Sequence, residues 1–419
     1  MRILVLNAGS SSQKCKLYAI DDHATTLPEH PSQPLWEATA DWTKERDGAE
    51  LRVSTIHGKQ HEEDFPVDSR IPVIERMLRT LWKGKTKVIE RPSDIAIIGH
   101  RIVHGGLRTQ ATALITPAVK QEIQWLAAFA PLHNPASLEG IEACERVLGR
   151  IPQATVFDTA FHSQFPPEVA VYPGPYSWFE QGIRHYGFHG ISHQYCARRS
   201  AQILGRELSS LRIVNCHLGN GCSLAAIKDG HSIDTTMGFT PLDGLMMGSR
   251  SGSIDPSILI YLQRTKGYSA DQLDEILNKE SGLKGISGVS SDLRQVLQAI
   301  ENGNERARLA LDIYIYRLRY FIGAMIASLG GIDVLTFTGG VGENAAQVRA
   351  RTCEAFGFLN LKLDPQKNAA SPADQDIAAP DSSVRVLIVH TEEDWEIARE
   401  CWHLLKRESI PTIGSTRLY

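Results

Sequence analysis

An excess of positive charge is the first thing missing: 44 Lys and Arg against 48 Asp and Glu leave a formal net charge of −4. That balance gives no reason to expect nucleic acid or an anionic membrane as partner, so any anion site has to be built locally. Long apolar runs are missing too. The longest, residues 321–329, is far too short to span a bilayer. The N-terminus carries no basic segment and no small-residue cleavage site, and it runs at once into an apolar strand, so no secretory signal is expected. Seven cysteines stand singly at 15, 144, 196, 216, 222, 353 and 401. An odd count without CxxC spacing argues against a disulfide framework or a zinc knuckle, and a reduced, cytoplasmic chain is the expectation.

What is present is ordinary in bulk and unusual in its turns. Hydrophobic residues make up 42% and charged residues 22% of 419 positions, a length that favours two cores over one. Residues 3–12 read ILVLNAGSSS, residues 213–223 read IVNCHLGNGCS, and residues 334–344 read VLTFTGGVGEN. Each is a buried strand feeding a turn of small residues, whose backbone N–H groups can point at one anion. Three such turns suggest a polyphosphate held between two similar halves.

The first half is expected to open with strands over residues 4–8, 14–20, 35–39 and 50–56, followed by a helix over 71–83. A buried strand at 95–106 ends in Gly105-Gly106, helices follow at 117–129 and 138–148, and the strand ATVFDTAFH carries Asp158 at its end. Residues 211–237 then repeat the strand–turn–strand opening. Helices are expected at 255–264, 270–278, 292–300, 304–329 and 345–356, with 360–383 a surface loop, 384–390 a last strand and 394–406 a final helix that returns to the first domain. The predicted domains are 1–158 plus 394–419, and 159–393, with ligands in the cleft between them.

Several side chains stand where chemistry is usually placed. Asn7 and Gly9 precede three serines, with Lys14 just beyond, a pattern that suits a hairpin turn or a metal–phosphate site. Arg101 lies towards the end of a buried strand, and its guanidinium fork matches a carboxylate or phosphoryl group as well as a structural ion pair. Asp158 suits a catalytic carboxylate and a helix N-cap equally. His185, His189 and His193 recur at intervals of four, but Gly187 and Gly190 make the segment a poor helix. A polar contact from His189 to a reacting group therefore fits better than zinc. Arg250 lies in the glycine-flanked loop MMGSRSG. GGVGEN matches neither GxGxxG nor GxxxxGK[ST], which excludes the Rossmann and P-loop readings.

Taken together, the blocks LNAGSSSQK, HRIVHGG, APLHNPAS, VFDTAFH, YGFHGISH, HLGNGCS, GFTPLDGLMMGSRSG, SGVSSDLR, FTGGVGEN and TEED closely resemble the acetate kinase family of the sugar-kinase, heat-shock-chaperone and actin superfamily. The resemblance implies an α/β fold of two duplicated actin- or ribonuclease-H-like domains, mixed sheets flanked by helices, with the active site in the interdomain cleft. It places Mg²⁺ (Mn²⁺ substituting) on Asn7 and Glu393. Catalytic roles fall on Arg101, Asp158, His189, Arg250 and, more distantly, His133, with Arg184 in support. Acetate would sit on Arg101, Val103, Leu132, Phe188 and Pro241. ATP would sit on Lys14, on His217, Leu218, Gly219, Asn220 and Gly221, on Asp292, Leu293 and Arg294, and on Gly340, Val341, Gly342, Glu343 and Asn344. The implied reaction is reversible, direct phosphoryl transfer from ATP to acetate by a homodimer, with neither nucleic acid nor membrane as partner. A propionate or other short-chain carboxylate kinase is the neighbouring alternative, and a non-catalytic ATP switch the more distant one.

Overall fold

The computed structural model describes residues 1–9, 12–42, 48–66, 69–107, 110–130 and 133–408. The chain divides into two compact units: Met1–Ala160 together with the segment from Glu392 onward, and Phe161–Thr391.

The first unit is built on eight strands: β1 (Arg2–Ala8), β2 (Ser12–Ala19), β3 (Trp36–Asp41), β4 (Gly48–Thr55), β5 (Gln60–Pro66), β6 (Ile97–Ile102), β7 (Ala113–Leu114) and β8 (Gln153–Phe157). Their order in the sheet is β5-β4-β3-β2-β1-β6-β8-β7. Strands β1 to β5 pair antiparallel in succession, whereas β1, β6 and β8 run parallel. The second unit carries β9 (Ile213–Leu218), β10 (Cys222–Lys228), β11 (His231–Thr235), β12 (Val334–Thr338), β13 (Gln375–Asp376) and β14 (Arg385–Ile388), ordered β11-β10-β9-β12-β14-β13. Here β11, β10 and β9 pair antiparallel while β9, β12 and β14 run parallel. The six strands β3-β2-β1-β6-β8-β7 thus match β11-β10-β9-β12-β14-β13 in order and in direction. This is the duplicated actin-like α/β class.

Helices cover both faces of each sheet, as parallel strands require. In the first unit Gly99 on β6 faces the helix Glu393–Glu408: a Cβ there would lie 2.6 Å from Cys401 Sγ and 2.8 Å from Ile397 Cγ2. The next side chain, His100, faces the helix Asn134–Leu148, where a Cβ on Gly140 would lie 3.7 Å from Leu6 Cδ2 and 4.0 Å from His100 Nδ1. Leu4, Leu6, Leu17, Trp36, Leu51 and Met77 fill the core on that face. In the second unit the strand alternation sends Cys222 towards Tyr314 of the helix Glu305–Leu329, at 3.3 Å, and Ser223 towards His193 of the helix Gly190–Leu204, at 2.8 Å.

The structure differs from the sequence reading in five places. Strand β5, His/Glu/Asp-rich, was not anticipated; it is a sheet edge held by pairing with β4, where polar residues are tolerated. Residues 282–287 form an unforeseen short helix, and 360–383 contain the helix Pro365–Ala370, N-capped by Asp364 through the amides of Gln366 and Lys367. The GGVGEN segment is not a turn before a helix but is itself helical, Gly339–Asn344. The third glycine turn is therefore a helix start, unlike the hairpin tips at Gly9 and Gly219. Finally, the segment judged a poor helix divides at His189, and Gly190–Leu204 is helical. Among the described residues, no helix is long and apolar enough to cross a membrane.

Because Gly99 leaves no room for a side chain, Gly99→Val is expected to lower stability by about 1–3 kcal/mol or more by overpacking. Urea unfolding followed by circular dichroism measures this. An unchanged midpoint would mean that the C-terminal helix does not seat on β6 as described.

Candidate active site

In each unit the polar residues collect at the carboxyl ends of the parallel strands, where open α/β sheets present their loops. In the first unit these are the ends of β1, β6 and β8. Leu6 pairs with His100, and Ile102 with Phe157, which brings Asn7, Arg101 and Asp158 side by side at the three strand ends. Arg101 grips Asp158 in a fork, Nε to Oδ1 at 3.1 Å and Nη2 to Oδ2 at 2.7 Å, and its Nη1 donates to Asn7 Oδ1 at 3.1 Å. Asn7 Nδ2 in turn donates to Asp394 Oδ1 at 2.9 Å, and Lys16 Nζ lies 3.2 Å from the other Asp394 oxygen.

Electrostatics here are unbalanced. Burial opposes the Arg101 charge, but Asp158, Glu393 and Asp394 outweigh it and hold the guanidinium more firmly protonated. For Asp158, burial pushes the carboxyl upward and Glu393 adds to the push against the pull of Arg101. Carboxylates are therefore in excess over cations at this strand end. The amide oxygen of Asn7 with the carboxylates of Asp158, Glu393 and Asp394 is a hard oxygen set, chemistry that suits Mg²⁺. Among the described residues, no three His, Cys, Asp or Glu side chains are grouped to enclose a metal unaided. That fits a cation that keeps several waters and leans on substrate phosphates.

The second unit offers a cation that no carboxylate pairs with among the described residues. Arg250 donates through Nη1 to the carbonyl of Pro241 at 3.2 Å, and among the described residues no acidic side chain pairs with it; burial pulls its pKa down. A Cβ on Gly221, at the β9–β10 hairpin tip, would lie 3.3 Å from Arg250 Nη1 and 3.5 Å from His189 Cε1. The glycine thus lets a ligand approach between an arginine and an imidazole. His189 holds a left-handed backbone, φ 57°, immediately before the helix Gly190–Leu204. A non-glycine residue there stores strain, which clusters at functional sites. Its ring stacks on His217 with centroids 4.3 Å apart. The preceding carbonyl, of Phe188, accepts from His162 Nε2 at 3.0 Å, and His162 Nδ1 lies 2.7 Å from Ser232 Oγ.

Beside this hairpin lies a cavity of about 870 Å³ lined by Gly219, Asn220, Asp292, Leu293, Arg294, Gly340, Val341 and Asn344, together with Ser291, Leu297 and Ala345. Its size and mixed lining suit a nucleoside. His217, Leu218, Gly221, Gly342 and Glu343 do not line it. Leu218 and Gly342 are buried beneath, and Glu343 accepts from the Gly339 amide and from His390, at 3.0 and 2.7 Å. Lys14 is exposed on β2, in a separate polar groove of the first unit with Lys16, Arg52 and Asp394. Val103 and Phe188 are buried and Pro241 is half-buried, while Leu132 lies outside the described residues. His133 is half-buried at the start of the helix Asn134–Leu148. Arg184 lies over the rings of Phe179 and Tyr186, 5.5 and 5.9 Å from their centroids. His185 spends both ring nitrogens on the carbonyls of Val169 and Met237, at 3.2 and 2.8 Å.

Sequence reasoning passed over Asp394, although it adjoins Glu393, because a carboxylate inside an acidic run reads as solvated surface. It also passed over Ser223 and Asn215, and weighed His193 only within the spaced histidine trio, because their partners lie on different elements.

An acetokinase family model matches residues 2–399. An acetate kinase of Gloeobacter violaceus is 62% identical over 97% of this chain and all of its own length. The crystal structure of Porphyromonas gingivalis acetate kinase superposes with a TM-score of 0.87 at 39% identity, covering 96% of this chain and 99% of that one. A propionate kinase from Francisella tularensis gives a TM-score of 0.85 at 38% identity, covering 95% and 98%. The fold, the strand-end chemistry and these likenesses agree: the chain belongs to the acetokinase family.

Proposed function

We propose that the chain catalyses reversible phosphoryl transfer between ATP and acetate, giving acetyl phosphate and ADP. The observation that carries this reading is Arg250: a mostly buried cation with no acidic partner among the described residues, set against a glycine hairpin beside a nucleoside-sized cavity. Such a cation needs an anion, and a polyphosphate running from the cavity across Gly221 would supply it.

The chemistry asks little of a base. A carboxylate is already ionised at pH 7, so the protein has to align anions and spread phosphoryl charge in the transition state. Arg250 and His189 would hold the transferring group, and Arg101 the acetate carboxylate. Asp158 is committed to the Arg101 fork, which supports a role in orienting that arginine and direct in-line transfer without a phosphoenzyme. Asn7 and Glu393 would hold Mg²⁺, with Asp394 fixing the Asn7 amide. When bound, the metal neutralises phosphate charge as a Lewis acid. Val103 would close the acetate methyl pocket. The seven cysteines are all unpaired and buried, which supports a cytoplasmic setting.

A second copy of the chain is the proposed partner. Leu309, Tyr316 and Tyr320 form an exposed stripe along the helix Glu305–Leu329, and Ile254, Ile258 and Tyr261 are exposed in the same unit. Light scattering is expected to give a dimer mass that Tyr316→Glu combined with Tyr320→Glu shifts to the monomer. A dimer surviving both changes would remove this face as the interface.

Acyl phosphate trapped with hydroxylamine should form rapidly with acetate and fall off from propionate to butyrate. One methylene is worth only about 1–3 kcal/mol, so propionate should remain a slow substrate. Val103→Ala should narrow the acetate-to-propionate gap; an unchanged ratio would take Val103 out of the pocket. Arg101→Ala and Arg250→Ala should each lose about 10²–10³ in turnover while still binding ATP, by analogy with removal of one oxyanion donor. Normal turnover in both would refute the assignment.

A further inference from the structure

We propose that Asn215, His193 and Ser223 form a buried relay that fixes the tautomer of His189, so that His189 presents a permanent Nε2–H donor to the glycine hairpin. The inference rests on the reading of His189 as a phosphoryl contact and adds three positioning residues to it.

The register explains why these groups meet. Asn215 and His217 lie two apart on β9 and share a face; across the antiparallel ladder they pair with Ala225 and Ser223 on β10. The helix Gly190–Leu204 lays His193 over that face, and His189 immediately precedes the helix. Asn215, Ser223 and His193 are all fully buried.

Proton positions follow from donor chemistry, one bond at a time. Asn215 Nδ2 lies 2.7 Å from His193 Nδ1. An amide nitrogen only donates, so His193 Nδ1 carries the lone pair and its proton sits on Nε2. Reversing the Asn215 amide would leave both of its N–H donors buried without a partner, whereas the present orientation pairs one of them and leaves Oδ1 unpaired. His193 Nε2 then donates to Ser223 Oγ at 2.8 Å. If His189 Nδ1 donated as well, the buried Ser223 hydroxyl proton would have no acceptor among its described contacts, so that proton turns to His189 Nδ1, at 2.9 Å. His189 Nδ1 accepts, and its proton is placed on Nε2. That nitrogen faces the hairpin: a Cβ on Gly221 would stand 3.6 Å from it.

Burial, with the neighbouring imidazoles of His162 and His217, drives the pKa of His193 well down, so His193 stays neutral and keeps its proton on Nε2. The consequence is functional. His189 locked as an Nε2–H donor can bond a phosphoryl oxygen throughout transfer without exchanging a proton. The opposite tautomer would turn a lone pair towards the anion and repel it.

The test uses the full-length enzyme labelled with ¹⁵N-histidine, His189 being assigned from the signal lost in His189→Gln. Two-bond ¹H–¹⁵N spectra should show His189 as the Nε2–H tautomer in the native protein. Ser223→Ala should convert it to a mixture containing Nδ1–H and lower kcat about tenfold, with KM for ATP changed by less than about twofold. Ser223→Thr, which keeps the hydroxyl, should restore both readouts. A native Nδ1–H tautomer, or one unmoved by Ser223→Ala, would overturn the relay. A tautomer that shifts while turnover is unchanged would support the relay and overturn the assignment of His189 to the phosphoryl group.

Discussion

Arg101 ties the ends of three parallel strands together. Its fork closes on Asp158 after β8 and its third nitrogen reaches Asn7 at the end of β1, while Arg101 itself sits on β6. Removing either partner of such a buried pair is costly, because the other charge is left in a medium that solvates it poorly. The pair is therefore a commitment of the fold as much as of the chemistry. It fixes the Asn7 amide from one side, Asp394 fixes it from the other, and the oxygen of that amide is left at the strand end where carboxylates exceed cations. A site poised in this way has the chemistry proposed above for a divalent cation.

The second unit solves the opposite problem with the same strand order. At the carboxyl ends of β9 and β12 stand glycines, hydroxyls and imidazoles, and among the described residues no carboxylate pairs with Arg250. One unit carries surplus negative charge and the other an unanswered positive charge. The division follows the chemistry of the reaction proposed for them, since a metal-binding acceptor site and a polyphosphate cradle need opposite surroundings. Duplication of a fold supplies two copies of the same ledge, and the residues on each then specialise.

Much of this was legible in the sequence, for reasons that particular residues make clear. Strands β1, β9 and β12 are largely apolar runs that lead into a glycine turn, a pattern readable without tertiary context. Arg101 and Arg250 were legible because an arginine towards the end of a buried strand or between glycines has few solvated alternatives. Strand β5 was not legible: His61, Glu62, Glu63 and Asp64 carry no strand pattern, and only the pairing offered by β4 makes them extended. The helical state of GGVGEN was hidden for a related reason. Three glycines oppose a helix, and the Glu343 carboxylate that accepts from the Gly339 amide becomes visible only in three dimensions. The relay through Asn215, His193 and Ser223 was hidden most completely, because its members come from two strands and a helix and mean nothing separately.

A kinase whose nucleophile is already charged has no use for groups that titrate during turnover; it needs donors whose protons stay where they are. Each proposed phosphoryl or carboxylate contact meets that condition by a different route. Arg101 is held protonated by the surrounding carboxylates, and Arg250 keeps the intrinsic basicity of a guanidinium against a desolvated setting. His189 is the exception by residue type, since an imidazole ordinarily changes charge near neutrality. The proposed relay behind it would fix which of its nitrogens accepts and which donates. The strained backbone of His189 and the His162 bond to the preceding carbonyl hold the ring where that donor is wanted. On this view the histidines surrounding the hairpin serve neither as metal ligands nor as general bases; they are the framework that makes one imidazole behave like an amide.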